Sequence, residues 1–156
     1  MPSDRKQNGL LDDVNLSLLE ELQRDARLSL AELGRRVGLS PPAVADRLGR
    51  LENDEVLRGY HAEVDPVALG YSLSAVLRIR PAPRELRKVA ELAQKTPEVV
   101  ECHRITGEDC YIVRAHVRDV LHLEEVIDRF AAFGQTTTSI IQSSPVPPRE
   151  IAMEQS

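Results

Sequence analysis

No apolar run in these 156 residues approaches the roughly 20 needed to cross a bilayer. The opening stretch MPSDRKQNGL carries no apolar segment of the kind a secretory signal has, which predicts a cytosolic protein with no membrane partner. Cysteine is scarce: Cys102 and Cys110 are too few for a disulfide framework. Nor do two thiols complete a four-ligand zinc site without help from the scattered His61, His103, His116 and His122. Also missing are a Walker loop, a GxGxxG turn and a nucleophile–base pair, so no catalytic constellation, cofactor or metal is expected. There is no internal repeat and no low-complexity stretch.

Positive charge is in deficit as well. Lys and Arg number 20 against 25 Asp and Glu, a formal net charge of −5. An acidic total argues against nucleic acid only where the charge is evenly spread, and here it is not. Between Gly34 and Arg50 four arginines, Arg35, Arg36, Arg47 and Arg50, stand against one acid, Asp46. Such a local patch can set a DNA contact on an acidic chain.

What is present is an ordinary globular composition, 42% apolar and 29% charged. The length suits one domain or two small ones. Residues 10–65 read mostly as helix, 66–70 as a linker opened by Pro66 and closed by Gly70, and 71–147 as alternating strands and helices. Residues 1–10 and 143–148 read as loose ends.

In the first part Val14, Leu18, Leu19 and Leu22 recur at helical spacing. Ser29-Leu30-Ala31-Glu32 fits a capping box, and Leu30, Leu33 and Val37 give the second helix a buried side. Gly38 ends that helix and Ser40 is placed to cap the next, whose first position holds Pro41, where a missing N–H costs nothing. A third helix is predicted from Pro41 to Asn53, with Val44, Leu48 and Leu51 inward. Ala43, Asp46, Arg47 and Arg50 share another face. Residues Val56–Val64 read as a small hairpin, or wing. A short helix, a Gly-containing turn and a Pro-started helix with outward arginines make a helix-turn-helix.

The expected DNA contacts are Arg47 and Arg50 at base edges beside the small Ala43, with Ser40, Pro41 and Asp46 at the helix surface. Arg35, Arg36 and Arg58 are expected at phosphates. Asp46 fits near DNA only when paired with Arg47 or Arg50, or when accepting from a cytosine amine. By pattern alone the same arginines fit solvated charges on a non-binding bundle equally well.

The second part runs strand, helix, strand, strand, helix, strand. Tyr71–Arg80 alternates, with Leu73, Ala75, Leu77 and Ile79 on one side and Ser72, Ser74, Arg78 and Arg80 on the other. Strands follow at Val99–Ile105, Cys110–Val117 and Thr136–Gln142, with Gly134 closing the second helix. The fold class is therefore α+β: an N-terminal winged helix-turn-helix and a C-terminal ferredoxin-like βαββαβ domain. A tight turn over Thr106–Asp109 puts Cys102 opposite Val113 and away from Cys110, so both thiols read as packing residues.

With these elements in this order, the chain resembles the Lrp/AsnC family of bacterial and archaeal feast/famine regulators over about residues 10–147. The matching residues begin with Leu11-Asp12, the run Ala31-Glu32-Leu33-Gly34-Arg35-Arg36-Val37-Gly38-Leu39-Ser40-Pro41, and Arg50-Leu51-Glu52. They continue with Gly59-Tyr60, Val64-Asp65-Pro66, Leu69-Gly70, Thr106-Gly107-Glu108-Asp109-Cys110-Tyr111 and Thr137-Thr138-Ser139-Ile140. The resemblance implies a transcriptional regulator that binds double-stranded DNA through its first domain. It also implies homodimers built through both domains, frequent octamers, and an amino-acid effector held by the second domain. Two places in the third helix where the family often carries a basic residue hold Asp46 and Gly49 here, and Cys110 occupies a place where many members have aspartate.

The effector contacts the resemblance implies are Gly107, Glu108 and Asp109 on the hairpin and Thr137, Thr138 and Ser139 on the last strand. The chemistry suits a zwitterion: carboxylates for its ammonium, and hydroxyls with turn N–H groups for its carboxylate. By pattern alone an ordinary hairpin turn and a β-branched edge strand account for the same residues. A nucleoid-packing protein without a specific effector is the alternative function.

Overall fold

The computed structural model describes residues 9–153. The expectation of loose ends at residues 1–8 lies outside them. The chain divides into two compact units, one from the described part of Met1–Glu63 with Val146–Ser156, the other Val64–Pro145.

The first unit is built on α1 (Asp13–Arg24), α2 (Leu30–Val37) and α3 (Pro41–Asn53). Asp12 caps α1 by accepting from the Asn15 N–H at 2.8 Å, and Ser29 caps α2 by accepting from the Glu32 N–H at 3.1 Å. The Ser29 hydroxyl bond is half of a capping box. The other half is missing because the Glu32 carboxylate turns to Arg35 and Arg36. Gly38 ends α2 in the left-handed conformation.

Leu18, Leu19, Leu22, Leu33, Val44, Leu48 and Leu51 meet in one core. Burying each fully is worth roughly 1.5–3 kcal/mol, which is what holds three short helices together. Leu30, expected inside, is 41% exposed, because at the first turn of α2 it projects past the core. The C-terminal segment joins this unit: Gln23 exchanges two hydrogen bonds with the backbone of Ile151, at 2.8 and 3.0 Å, and Met153 packs on the core.

The wing expected over Val56–Val64 does not form; these residues pair with no strand. The N–H groups of Val56 and Leu57 both donate to the Leu51 carbonyl, at 2.9 and 3.0 Å, and so are spent on closing the end of α3. The Tyr60 hydroxyl donates to Glu52 Oε1 at 2.8 Å and ties the following segment to the same helix.

The second unit is a four-stranded antiparallel sheet in the order β2-β3-β1-β4: β1 (Leu73–Pro81), β2 (Val99–Arg104), β3 (Tyr111–Val117) and β4 (Gly134–Ile140). Its crossover helices are α4 (Leu86–Lys95) and α5 (Val120–Ala131). This is the ferredoxin-like order expected from βαββαβ. Ala75, Leu77 and Ile79 of β1 and Tyr111, Val113, Ala115 and Val117 of β3 pack under Val89, Ala93, Leu123, Val126 and Phe130 of the helices. Side-chain alternation sends Ser74, Val76, Arg78, Ile112, Arg114 and His116 to the opposite face of the sheet.

Cys102 stands opposite Val113, as the tight turn requires, and both thiols are free. Cys110 packs against the core as expected, but Cys102, on the edge strand β2, is exposed. Gly134 does not close α5 but opens β4, opposite Pro81. A side chain there would put its Cβ 2.2 Å from the Arg80 carbonyl oxygen, so only glycine lets the strands meet. The strand accordingly starts two residues earlier than expected and ends at Ile140.

Candidate functional site

The first candidate surface is α3. Its inward stripe of Val44, Leu48 and Leu51 leaves Pro42, Ala45, Asp46, Arg50 and Asn53 exposed on the far side. Ser40 takes the N-cap position but makes no side-chain cap bond; Pro42 at N2 removes one of the two amides a cap can serve, and the Ala43 amide at N3 is left unused by it. Its hydroxyl is thus uncommitted at the exposed start of the helix, where anions are favoured.

Arg47 and Arg50 do not behave alike. Arg50 is 66% exposed and pairs with Asp46 at 2.8 Å along the outer face. Arg47 lies on the flank that turns toward α1, with Ala43 one turn earlier. Its Nη1 donates to Asp12 Oδ2 at 2.7 Å, Asp12 Oδ1 at 3.0 Å and Asn15 Oδ1 at 3.0 Å. Asn15 is 3% exposed and donates onward to the Leu10 carbonyl at 2.7 Å. The Arg47 hydrogen bond holds the Asp12 carboxyl below its usual pKa, against the opposing push of burial. Sequence spacing placed Arg47 on the reading face, but the helix phase puts it at the boundary with α1, where a carboxylate and a buried amide engage it.

Arg35 pairs with Glu32, Arg36 with Glu32 and Glu21, and both remain exposed beside the turn into α3. Arg58 is exposed and makes no ion pair among the described residues.

The second candidate surface is in the other unit, around the β2–β3 turn. Gly107 sits at φ +110°, a conformation a side chain would strain. Glu108 pairs with Arg80, and Asp109 lies 4.0 Å from both Arg78 and Arg80. The two arginines come from β1, which runs between β3 and β4. Arg78 stands opposite Thr137 of β4, so hairpin carboxylates, strand arginines and a threonine hydroxyl share one face of the sheet. The expected threonine and serine cluster is split by alternation: Thr137 and Ser139 are exposed on the Arg78 face, whereas Thr138, opposite Leu77, turns toward the helices. Arg78 and Arg80 were missed as site residues. Their place on the polar side of an alternating strand was the available signal.

No group of three metal-ligating side chains occurs among the described residues. No helix among them is long and apolar enough to cross a membrane.

Known proteins match both units. The family model for the AsnC-type helix-turn-helix domain covers residues 11–52, and that for the Lrp/AsnC ligand binding domain covers residues 74–151. The chain is 33% identical over 133 residues to the HTH-type transcriptional regulator LrpC of Bacillus subtilis (strain 168), covering 85% of this chain and 92% of that one. It is 34% identical over 138 residues to the leucine-responsive regulatory protein of Escherichia coli (strain K12), covering 84% of each. The solved structure of Bacillus subtilis LrpC superposes with a TM-score of 0.82 at 33% identity, over 86% of this chain and 96% of that one. A feast or famine regulatory protein from M. tuberculosis complexed with L-methionine superposes with a TM-score of 0.85 at 33% identity, over 90% and 98%. With both domain models matched in order and full-length relatives at this identity, the chain belongs to the Lrp/AsnC family of transcriptional regulators.

Proposed function

We propose that this protein is a sequence-specific DNA-binding regulator whose operator binding or assembly responds to a free amino acid. The observation that carries the DNA reading is the outer face of α3: exposed at Pro42, Ala45, Asp46, Arg50 and Asn53, small at Ala45 and the half-buried Gly49, and charged at Asp46 and Arg50. Arg50 serves base edges, the Ser40 hydroxyl and Pro41 fit the helix start against a phosphate, and Arg35, Arg36 and Arg58 supply the sequence-independent attraction. Arg47 acts through Asp12 and Asn15 by setting how α3 stands on α1, with Ala43 allowing that close flank.

The effector reading rests on the hairpin cluster. Glu108 and Asp109 face a ligand ammonium, Arg78 and Arg80 its carboxylate, with Thr137 and Ser139 donating hydroxyls. Gly107 permits the turn. Thr138 serves β4 from the other face. A related protein with L-methionine bound supports an amino acid as the ligand class.

We further propose a homodimer, with octamers as the larger assembly. The face of the sheet away from α4 and α5 carries Val76 and Ile112 among its polar residues, and a second copy covers it. Two-fold pairing doubles a short DNA contact and spaces half-sites about 34 Å apart. Such a regulator acts in the cytoplasm without a cofactor.

A footprint on the protein's own promoter region, with and without amino acids, tests the function. A bounded protected site that shifts with one amino acid supports it. Uniform protection that no amino acid changes indicates a DNA-packing protein instead. Light scattering that returned only the 17.4 kDa monomer at micromolar concentration would remove the assembly reading.

A further inference from the structure

We infer that the outer face of α3 selects a guanine and a cytosine in the same or neighbouring base pair, with Arg50 donating to the guanine and Asp46 accepting from the cytosine amine. This deepens the DNA-binding reading and rests on it.

Three observations carry the assignment. First, Arg47 is engaged by Asp12 and Asn15, which leaves Arg50 as the arginine on the outward side of the helix. Second, Asp46 and Arg50 pair at 2.8 Å while 62% and 66% exposed. An ion pair so exposed contributes little to stability, so the fold gives no reason for a carboxylate in the middle of this face. Near phosphates a lone carboxylate repels. Paired with Arg50 it becomes neutral overall and offers an acceptor beside a guanidinium fork. That pattern matches guanine O6 and N7 next to cytosine N4–H.

Third, Gly49 lies between them in the helix interior, where glycine is less favourable than alanine. A Cβ added there meets nothing within 4 Å, and its φ is not in the left-handed range. Neither packing nor backbone conformation requires glycine at this position. The missing side chain leaves room for another molecule to approach the helix there. With Ala45 on the same side, it lets the helix sit low enough for the short Asp46 side chain to reach a base edge.

The pairing also predicts what is refused. Thymine O4 and guanine O6 at the cytosine position would face the Asp46 carboxylate acceptor to acceptor, so bases that present a carbonyl there are excluded by repulsion.

The test uses the full chain and a pool of randomised DNA duplexes, with wild type, Asp46→Ala and Arg50→Ala selected in parallel. Single-base variants of the selected duplex are then titrated by gel shift. The wild type is expected to enrich guanine and cytosine at fixed places in each half-site. Asp46→Ala should bind unrelated duplexes more tightly, yet lose roughly 5- to 150-fold of its discrimination at the cytosine position while keeping the guanine. Arg50→Ala should lose the guanine preference. Both residues are exposed, so unchanged melting temperatures will show that the variants fold. A wild-type site without guanine and cytosine, Asp46→Ala preferences identical to wild type, or an equal loss on every duplex overturns this inference alone. A wild type that enriches no sequence overturns the sequence-specific reading beneath it as well.

Discussion

Arg47 of α3 donates to both carboxylate oxygens of Asp12, the residue that caps α1. One side chain therefore serves two helices: Asp12 satisfies an amide at the start of α1 and fixes the flank of α3. Asn15, almost fully buried, completes the clamp by accepting from the same guanidinium nitrogen. This contact adds to the apolar stripe of Val44, Leu48 and Leu51 in fixing how α3 stands on α1.

Asp12→Asn and Arg47→Ala separate positioning from base contact. Asparagine keeps the cap but removes the charge. Each variant is expected to lower the unfolding free energy, Arg47→Ala by about 1–3 kcal/mol through loss of charged hydrogen bonds. Both should weaken operator binding. If Arg47 instead touched a base, Asp12→Asn would release it and leave binding equal or tighter. Urea titration beside a gel shift on the same protein distinguishes the two.

Gly49→Ala should move stability and function in opposite directions. The substitution adds a methyl group into open space on a helix and is expected to stabilise the fold by roughly 0.5–1 kcal/mol. On the DNA side the methyl group stands between α3 and the groove, so operator affinity should fall. A thermal melt showing no gain, or a gel shift showing no loss, would mean that α3 does not approach DNA over Gly49.

The helices and strands were legible because their signals are local. Ser29, Gly38 and Pro41 set helix ends through their own backbone chemistry, and the alternation Leu73, Ala75, Leu77, Ile79 fixed which face of β1 is buried. What escaped depends on contacts distant in sequence. Asp12 and Arg47 are 35 residues apart, and no spacing rule places them together. The wing was lost because the Leu51 carbonyl claims the amides of Val56 and Leu57. Arg78 and Arg80 were on the expected side of their strand, but their meeting with Glu108 and Asp109 needs the β1–β3 pairing.

Acid should destabilise the second unit through Glu98. Its carboxylate accepts from Arg129 at 3.0 and 3.2 Å and is 2.7 Å from His122 Nε2, which joins the start of β2 to α5. The Arg129 hydrogen bonds, helped by His122 and opposed by burial, lower its pKa from 4.5 to about 2. A depressed carboxylate pKa stabilises the fold above the usual value and loses that contribution as pH falls through the folded value. The window is therefore pH 4.5 down to about 2. A shift of this size corresponds to about 3 kcal/mol at neutral pH. Glu98→Gln should be less stable at pH 7 and nearly flat across that window. Parallel acid dependence in wild type and variant would assign the acid sensitivity to other carboxylates.

The effector site predicts a division of labour that calorimetry can read. A free amino acid carries an ammonium and a carboxylate close together, so its pocket needs opposite charges within a few ångströms. Asp109 and the two β1 arginines have that arrangement, at 4.0 Å. Glu108 is 86% exposed and already paired with Arg80, so Asp109, at 27% exposed, is the stronger candidate for the ammonium. Titration of the full chain with each of the twenty amino acids is expected to give heat for one or a few. Arg78→Ala should abolish that heat by removing the carboxylate partner, and Asp109→Asn should weaken it tenfold or more, about 1.4 kcal/mol. Gly107→Val should abolish it by a different route, because φ +110° excludes a β-branched residue and the turn must move. Thr138→Val faces the helices and should leave the heat unchanged. Linkage then requires that the responsive amino acid bind with a different affinity once operator DNA is present. No heat for any amino acid would leave a regulator without this effector. Heat that survives Arg78→Ala would move the site away from β1.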